Sequence, residues 1–333
     1  MNCEAKPDIS IIIPVYNGEK SIEKAIKSVQ EQEYRKWEII AIDDGSTDKT
    51  LEMLNKISKL DKRIIVCHQK NSGVSVARNT GIKKAAGKYV MFLDCDDEFL
   101  GGYLESAIKF LQDNKSDILM VSVLRNESKV QWNTSGIYTM IDDAQILFDL
   151  SKKRVLFNSV CNKVFKKDII DSKGLNFPTG RAMGEDLIFV QKYLNCIDSV
   201  GIVDVPYYKY KSRANSATSR NFDSRWTPDA FYELWECYFA KNNLNFAILY
   251  ERMVYDYTKY VAQVASAYSY RETKIIARTV FMSKSIQKAC LSLKNTDRDS
   301  FFSKQIRKGN FKTITMLCVF LGFLRNVKRR MLK

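Results

Sequence analysis

Val90-Met91-Phe92-Leu93-Asp94-Cys95-Asp96-Asp97 decides how the rest of this chain is read. Four apolar residues run straight into three carboxylates. An apolar run of this length suits a strand covered on both faces, as in a parallel sheet. Ligands of such sheets bind beyond the carboxyl ends of the strands. Three acids crowded at that end repel one another unless water or a cation separates them. The alternation of Asp94 and Asp96 suits a hard divalent cation that is also bound to a phosphate. Acidic strand ends are also ordinary turns and helix caps, and Asp97 is placed to cap the succeeding segment.

Upstream, Ile9-Ser10-Ile11-Ile12-Ile13 reads as a buried strand closed by Pro14. Ser21 to Gln30 carries Ile22, Ala25, Ile26 and Val29 at helical spacing. Glu38 to Ile42 is a second strand, closed by Asp43-Asp44-Gly45-Ser46, and Thr47 opens a second helix. Arg63 to Cys67 is a third strand. Val74 to Ala86 is a third helix, ended by Gly87. Downstream, the pattern predicts a helix over Tyr103–Leu111, a strand over Asp117–Leu124 and a polar loop from Asn126 to Gly136. Gly184-Glu185-Asp186 opens an amphipathic helix, and the chain from about Trp226 is aromatic-rich with helical spacing.

Strands alternating with helices predict an α/β domain with a mainly parallel sheet flanked by helices. A helical C-terminal region comes after it. The turn after the first strand lacks GxGxxG, and no GKS or GKT follows a glycine-rich loop. Neither a dinucleotide fingerprint nor a P-loop is therefore present.

The 333 residues suffice for two domains, and 45% apolar content supports a real core. The formal charge of +15 implies an anionic partner: a phosphorylated substrate, a membrane surface or nucleic acid. Eight scattered cysteines, with no CxxC pair, suggest reduced thiols and a cytoplasmic setting. His68 is the only histidine, which excludes histidine-based triads and multi-histidine metal sites. The N-terminus has no apolar signal core, and no apolar stretch reaches the roughly 20 residues of a membrane span.

Four segments occur in a telling order: Ile11-Ile12-Ile13-Pro14-Val15-Tyr16-Asn17, Ile42-Asp43-Asp44-Gly45-Ser46-Thr47-Asp48, Asn71-Ser72-Gly73 with Ala77-Arg78-Asn79, and Leu93-Asp94-Cys95-Asp96-Asp97. With these the chain resembles the bacterial family 2 glycosyltransferases of GT-A fold. Cys161-Asn162-Lys163 and Gly184-Glu185-Asp186 resemble its capsule, exopolysaccharide and teichoic-acid members. The likeness covers about residues 8 to 220. It implies a catalytic domain over 1–220, with a nucleotide half to about 100 and an acceptor half beyond, and a helical region over 221–333.

The resemblance implies transfer of a sugar from a nucleotide sugar, a UDP-sugar by family frequency, with inversion at the anomeric carbon. The acceptor would be a glycan or a lipid-linked saccharide. Pro14, Val15, Tyr16, Asn17, Asn71 and Gly73 fall in the nucleotide-binding segments. Asp44 is assigned to the base; its other reading is an Asx turn. Tyr16 would face the base, or else pack in the core. Arg78 is expected to contact nucleotide or phosphate, or to organise the acidic loop.

Asp94 is expected toward the ribose, and Asp96 on Mg2+ or Mn2+ across the diphosphate. Cys95 belongs to the same nucleotide-binding stretch, although strand alternation turns it to the opposite side as packing. Asp186 stands at the family's catalytic base, with Glu185 beside it for the acceptor. Both are also the acids that a first helical turn favours. Lys211 and Arg213 fall in a segment where the family often has Tyr-Arg-x-Arg; Lys211 can meet a phosphate, but as a point charge.

From Ser300 to Lys333 the chain has no acid and many Lys and Arg around an apolar stretch. That suits a helix at the inner face of a cell membrane, or a core helix with a basic end. A basic α/β protein that binds anionic lipid or nucleic acid without chemistry is the alternative. It leaves the acidic strand end unexplained, because nucleic acid would be repelled there, so no nucleic-acid partner is expected.

Overall fold

The computed structural model describes residues 6–140, 142–180, 184–211, 229–265 and 268–331. The chain divides into two compact units, residues 1–216 and 217–333.

In the first unit, strands β1 (Ile9–Val15), β2 (Trp37–Asp43), β3 (Ile64–His68) and β4 (Tyr89–Phe92) alternate with helices α1 (Ile22–Gln30), α2 (Thr50–Leu60) and α3 (Val74–Lys84). These four strands are parallel, in the order β3-β2-β1-β4. Every residue of β1, β2 and β4 is buried, which accounts for their mainly apolar character; Ser10 Oγ of β1 donates to Glu38 Oε1 of β2 at 2.6 Å. Helix α3 lies close on β1: a Cβ at Gly81 would sit 2.4 Å from Ile12 Cγ2, so only glycine permits this approach.

The remaining strands are β5 (Glu98–Phe99), β6 (Ile118–Arg125), β7 (Ser128–Val130), β8 (Gly136–Thr139), β9 (Lys163–Lys166) and β10 (Ser199–Tyr210). With them the sheet becomes mixed rather than mainly parallel. Strand β9 enters antiparallel between β4 and β6, whereas β10 runs parallel to β6. The expected loop over 126–136 instead holds a tight hairpin. Asn126 and Glu127, at φ 47° and 61°, turn β7 back along β6; positive φ at both central residues matches the natural twist of paired strands.

The first unit is completed by α4 (Tyr103–Asn114), α5 (Ala144–Leu150), α6 (Arg154–Asn158), α7 (Lys167–Ser172) and α8 (Glu185–Leu194). The second unit is helical, as the aromatic-rich spacing predicts: α9 (Asp229–Lys241), α10 (Phe246–Ala265), α11 (Tyr270–Phe281), α12 (Lys284–Ser292), α13 (Phe301–Arg307) and α14 (Phe311–Met331). Its core gathers Trp235, Phe239, Leu249, Tyr257, Val261 and Phe281, all nearly inaccessible. Among the described residues no helix is long and apolar enough to cross a membrane.

Candidate active site

Parallel pairing puts the carboxyl ends of β1, β2 and β4 on one edge of the sheet, so Tyr16, Asp44 and Asp94 share that edge. Strand β9 runs the other way, with Met91 of β4 opposite Val164. Its amino end, where Cys161-Asn162-Lys163 enters, therefore reaches the same edge.

The loops after β1 and β2 are laced together. Asn17 Oδ1 accepts from the Thr47 N–H at 2.8 Å, and the Asn17 N–H donates to Ser46 Oγ at 3.0 Å. The Gly18 N–H donates to Thr50 Oγ1 at 2.8 Å. Asn17 adopts φ 52°, a conformation Asn tolerates better than most residues. This bend leaves Tyr16 51% exposed, not packed in the core. Its ring is therefore available to a ligand.

Asp44 is buried, and its carboxylate gathers the next loop. Oδ1 accepts from Gln69 Nε2 at 2.8 Å and the Ser72 N–H at 2.9 Å, and Oδ2 accepts from the Gly73 N–H at 2.8 Å. Asn71-Ser72-Gly73 is thus folded around Asp44. Gly73, at φ 89°, starts α3, and a Cβ on Gly45 would meet the Asn71 nitrogen at 2.7 Å.

Arg78 is the centre of the site, and it is 3% exposed rather than solvated. Nη2 donates to Asp94 Oδ1 at 3.0 Å. Nη1 donates to Asp186 Oδ1 at 2.6 Å and lies 3.5 Å from Glu185 Oε1. These contacts tie the end of β4 to the first turn of α8. The Arg78 guanidinium also sits 5.3 Å from the centroid of the Phe177 ring. Asn79 holds the Phe177 backbone by two hydrogen bonds, of 2.9 and 2.8 Å. Phe177 in turn stacks on Phe189 of α8 with centroids 4.1 Å apart. The Ala77-Arg78-Asn79 motif therefore fixes α8, and with it Glu185 and Asp186. Phe177 was not legible as a site residue, because a lone Phe in a loop carries no local signal.

Asp186 lies in the first turn of α8, after Gly184 at φ 83°. Burial pushes its carboxyl up to about 7, reinforced by the charges of Glu185 and Asp94. Arg78 and the Val160 N–H pull the other way. A carboxyl titrating in that range is suited to general acid–base work.

Asp97 is not a cap exposed to solvent. It is 1% exposed, accepts from the Tyr208 hydroxyl at 2.6 Å and from the Lys211 N–H at 2.8 Å, and is pushed up to about 8 by burial and by the Asp94 charge. It anchors the end of β10 under the acidic loop. The Lys211 ammonium pairs with Glu98. Arg213 lies outside the described residues.

Asp96 faces a different space. It lines a cleft of about 550 Å³ whose other charged residues are Glu19, Lys20, Lys24, Asp48 and Lys211. Among the described residues no group of three or more His, Cys, Asp or Glu side chains is arranged to hold an ion. Asp94 is already committed to Arg78. The cleft thus holds three acids, Glu19, Asp48 and Asp96, beside three lysines, and Glu19 and Asp48 already accept backbone N–H groups. This donor set fits a hard cation that takes most of its ligands from a bound diphosphate. Cys95 is half-buried, and its Sγ would lie 3.5 Å from a Cβ on Gly18, in keeping with packing.

Cys161-Asn162-Lys163 supports the site from below. Lys163 is fully buried; its Nζ donates to Leu156 O at 2.6 Å, to Ser159 O and to Asn162 Oδ1 at 3.0 Å. Asn162 Nδ2 donates to Val121 O at 2.7 Å. The lysine closes the turn that carries the Val160 N–H to Asp186.

Comparison with known proteins gives the family. Residues 10–173 match the model of Glycosyl transferase family 2. The chain is 30% identical over 228 residues to the glycosyltransferase GlyA of Streptococcus pneumoniae, covering 66% of this chain and 32% of GlyA. It is 30% identical over 218 residues to the glycosyltransferase EpsJ of Bacillus subtilis, covering 64% of this chain and 63% of EpsJ. It therefore spans about a third of GlyA and under two thirds of EpsJ. The crystal structure of residues 1–349 of Staphylococcus aureus TarS with UDP superposes with a TM-score of 0.68 at 19% identity, over 93% of this chain and 90% of that one. The order of strands, the acid-tipped fourth strand and the matched segment together make this chain a member of glycosyl transferase family 2, built on the GT-A fold.

Proposed function

We propose that this chain transfers a sugar from a UDP-sugar to a hydroxyl of a glycan or lipid-linked saccharide in cell-surface polysaccharide synthesis, with inversion at the anomeric carbon. The observation that carries the reading is the Arg78 bridge. It joins Asp94, at the donor end of the site, to Asp186, a carboxyl of raised pKa at the head of α8. The UDP in the TarS crystal structure supports the choice of nucleotide.

In this reading the exposed Tyr16 ring stacks on the base, and Pro14, Val15 and Asn17 shape the wall around it. Asp44 keeps lone-pair capacity beyond its three donors and accepts an N–H from the base. Asn71 and Gly73 line the same side. Asp94 faces the ribose, and Lys211 offers a charge to the diphosphate. Mg2+ or Mn2+ would be held by Asp96 and the diphosphate, where it would neutralise charge on the leaving group. The acceptor hydroxyl, held by Glu185, attacks the anomeric carbon on the face opposite the diphosphate. Asp186 takes its proton, a new C–O bond forms, and the old one breaks with its electron pair leaving on the nucleoside diphosphate.

Asp186→Asn tests the reading. Transfer from a panel of UDP-sugars should fall about a hundredfold or more. Thermal stabilisation by UDP with Mn2+ should persist in the variant and disappear with EDTA. Unchanged turnover would remove Asp186 from the chemistry, and absence of any nucleotide-dependent stabilisation in the parent protein would remove the donor assignment.

A further inference from the structure

Helix α14 is amphipathic in an unusual sense. The side it turns inward is built from Ile314, Thr315, Cys318 and Gly322, all buried, with Cys318 Sγ 3.8 Å from Thr258 O on α10. These are mostly small residues that let two helices approach closely. The bulky apolar residues are on the outside. Met316, Phe320, Phe323 and Leu324 follow the spacing of one helical face, and Phe320 and Phe323 are 57% and 62% exposed. A surface helix of a globular protein normally carries charged and polar residues on that face. Two neighbouring aromatic rings left in water indicate a surface that something else covers.

The charge pattern identifies the occupant. No acid occurs between Ser300 and Lys333, and the sequence immediately after the apolar face carries Arg325, Lys328, Arg329 and Arg330. A second copy of this chain would bring two such basic segments together, and like charges would oppose it. A surface with an apolar interior and anionic headgroups satisfies both features. Helix α14 is too polar to cross a bilayer, but a helix of this kind lies in the interface plane with its apolar face in the acyl boundary.

We propose that the outward face of α14 docks on an anionic lipid bilayer, with Phe320 and Phe323 inserted and the net positive charge of the sequence around it favouring anionic headgroups. The assignment is independent of the chemistry proposed above, because it is read by binding alone. It would bring a lipid-linked acceptor within the same plane as the enzyme.

Vesicle sedimentation of the full chain tests it, using phosphatidylcholine vesicles with and without about one third phosphatidylglycerol. The parent protein should sediment with the anionic vesicles only, and less as salt is raised. Phe320→Asp with Phe323→Asp should lower the bound fraction about tenfold or more. Both positions are already in water, so its thermal unfolding should match the parent. Lys328→Gln, Arg329→Gln and Arg330→Gln together should weaken binding and flatten its salt dependence, and this variant leaves the apolar face untouched. Failure of the parent to sediment with anionic vesicles would overturn the proposal. So would equal binding by the double variant. Light scattering that shows a dimer, dissociated by the Phe substitutions, would assign the face to a second copy instead.

Discussion

Arg78 Nη1 lies 2.6 Å from Asp186 Oδ1, a contact between residues 108 positions apart. The other terminal nitrogen of the same guanidinium lies 3.0 Å from Asp94 Oδ1. One buried cation thus holds the tip of β4 and the first turn of α8 in fixed relation. Three partly exposed carboxylates around it would otherwise repel one another.

Arg78→Met should therefore do two things. It leaves three part-exposed acids uncompensated, which costs about 1–3 kcal/mol of stability. It also frees α8 to shift, so transfer should be lost even in the folded fraction. Arg78→Lys keeps the charge but not the fork that spans two partners. It should fold with a smaller loss and show a reduced kcat with little change in the KM for the nucleotide sugar. Urea unfolding and steady-state kinetics of the two variants check this. A fully active Arg78→Lys would mean that charge alone suffices.

In the proposed mechanism Asp186 sets the pH dependence. Its carboxyl is raised to about 7, and the proposed base is the ionised form. The rate of transfer at limiting substrate should therefore rise with pH through about 7 and level off above it. The Glu185 charge is one of the groups that raise Asp186, so Glu185→Gln should move this limb toward lower pH. A limb that stays in place in Glu185→Gln would mean that another group is titrating.

Much of this arrangement could be read from residue order, and the parts that could not have physical reasons. Strands β1, β2 and β4 are mainly apolar because both faces are covered, and such runs are visible locally. Strand β9 is not, because it carries Lys163 at its start and Lys166 at its end, and lysines argue against a central strand. Lys163 becomes tolerable only when Leu156 O, Ser159 O and Asn162 Oδ1 surround it. Arg78 could be picked out from its motif. Its burial could not, since its partners come from β4 and α8. Asp97 looked like a cap because its real donor, the Tyr208 hydroxyl, is 111 residues away.

Asp97 gives a stability prediction of definite sign. Its folded-state pKa is about 8, against 3.8 for an ordinary Asp. Between those values the folded protein holds a proton that the unfolded chain has released. Stability should then fall as pH rises from about 4 to about 8. Asp186, raised to about 7, adds to the same slope over most of that window. Asp97→Asn imitates the protonated acid: its oxygen can accept from the Lys211 N–H, and its amide can donate to the Tyr208 oxygen. The variant should show a shallower slope and exceed the parent by a few kcal/mol at alkaline pH. Urea unfolding across the pH range checks this, and parallel curves for the two proteins would show that Asp97 is ionised in the fold.

Lys163 presents the opposite kind of buried charge, with acceptors in place of donors. Its ammonium satisfies two backbone carbonyls and the Asn162 amide oxygen, and burial pulls its pKa down to about 7 while Asp186 pulls it up. Lys163→Met keeps much of the volume but leaves those acceptors unpaired, at about 1–3 kcal/mol for each that water cannot reach. Lys163→Ala adds a cavity and should unfold at lower urea still. The turn from Ser159 to Asn162 would also loosen, and with it the Val160 N–H that supports the Asp186 charge. In Lys163→Met the rising limb of the transfer rate should thus move to higher pH, beyond what lost stability alone would produce. Loss of stability with an unmoved limb would confine Lys163 to holding the fold.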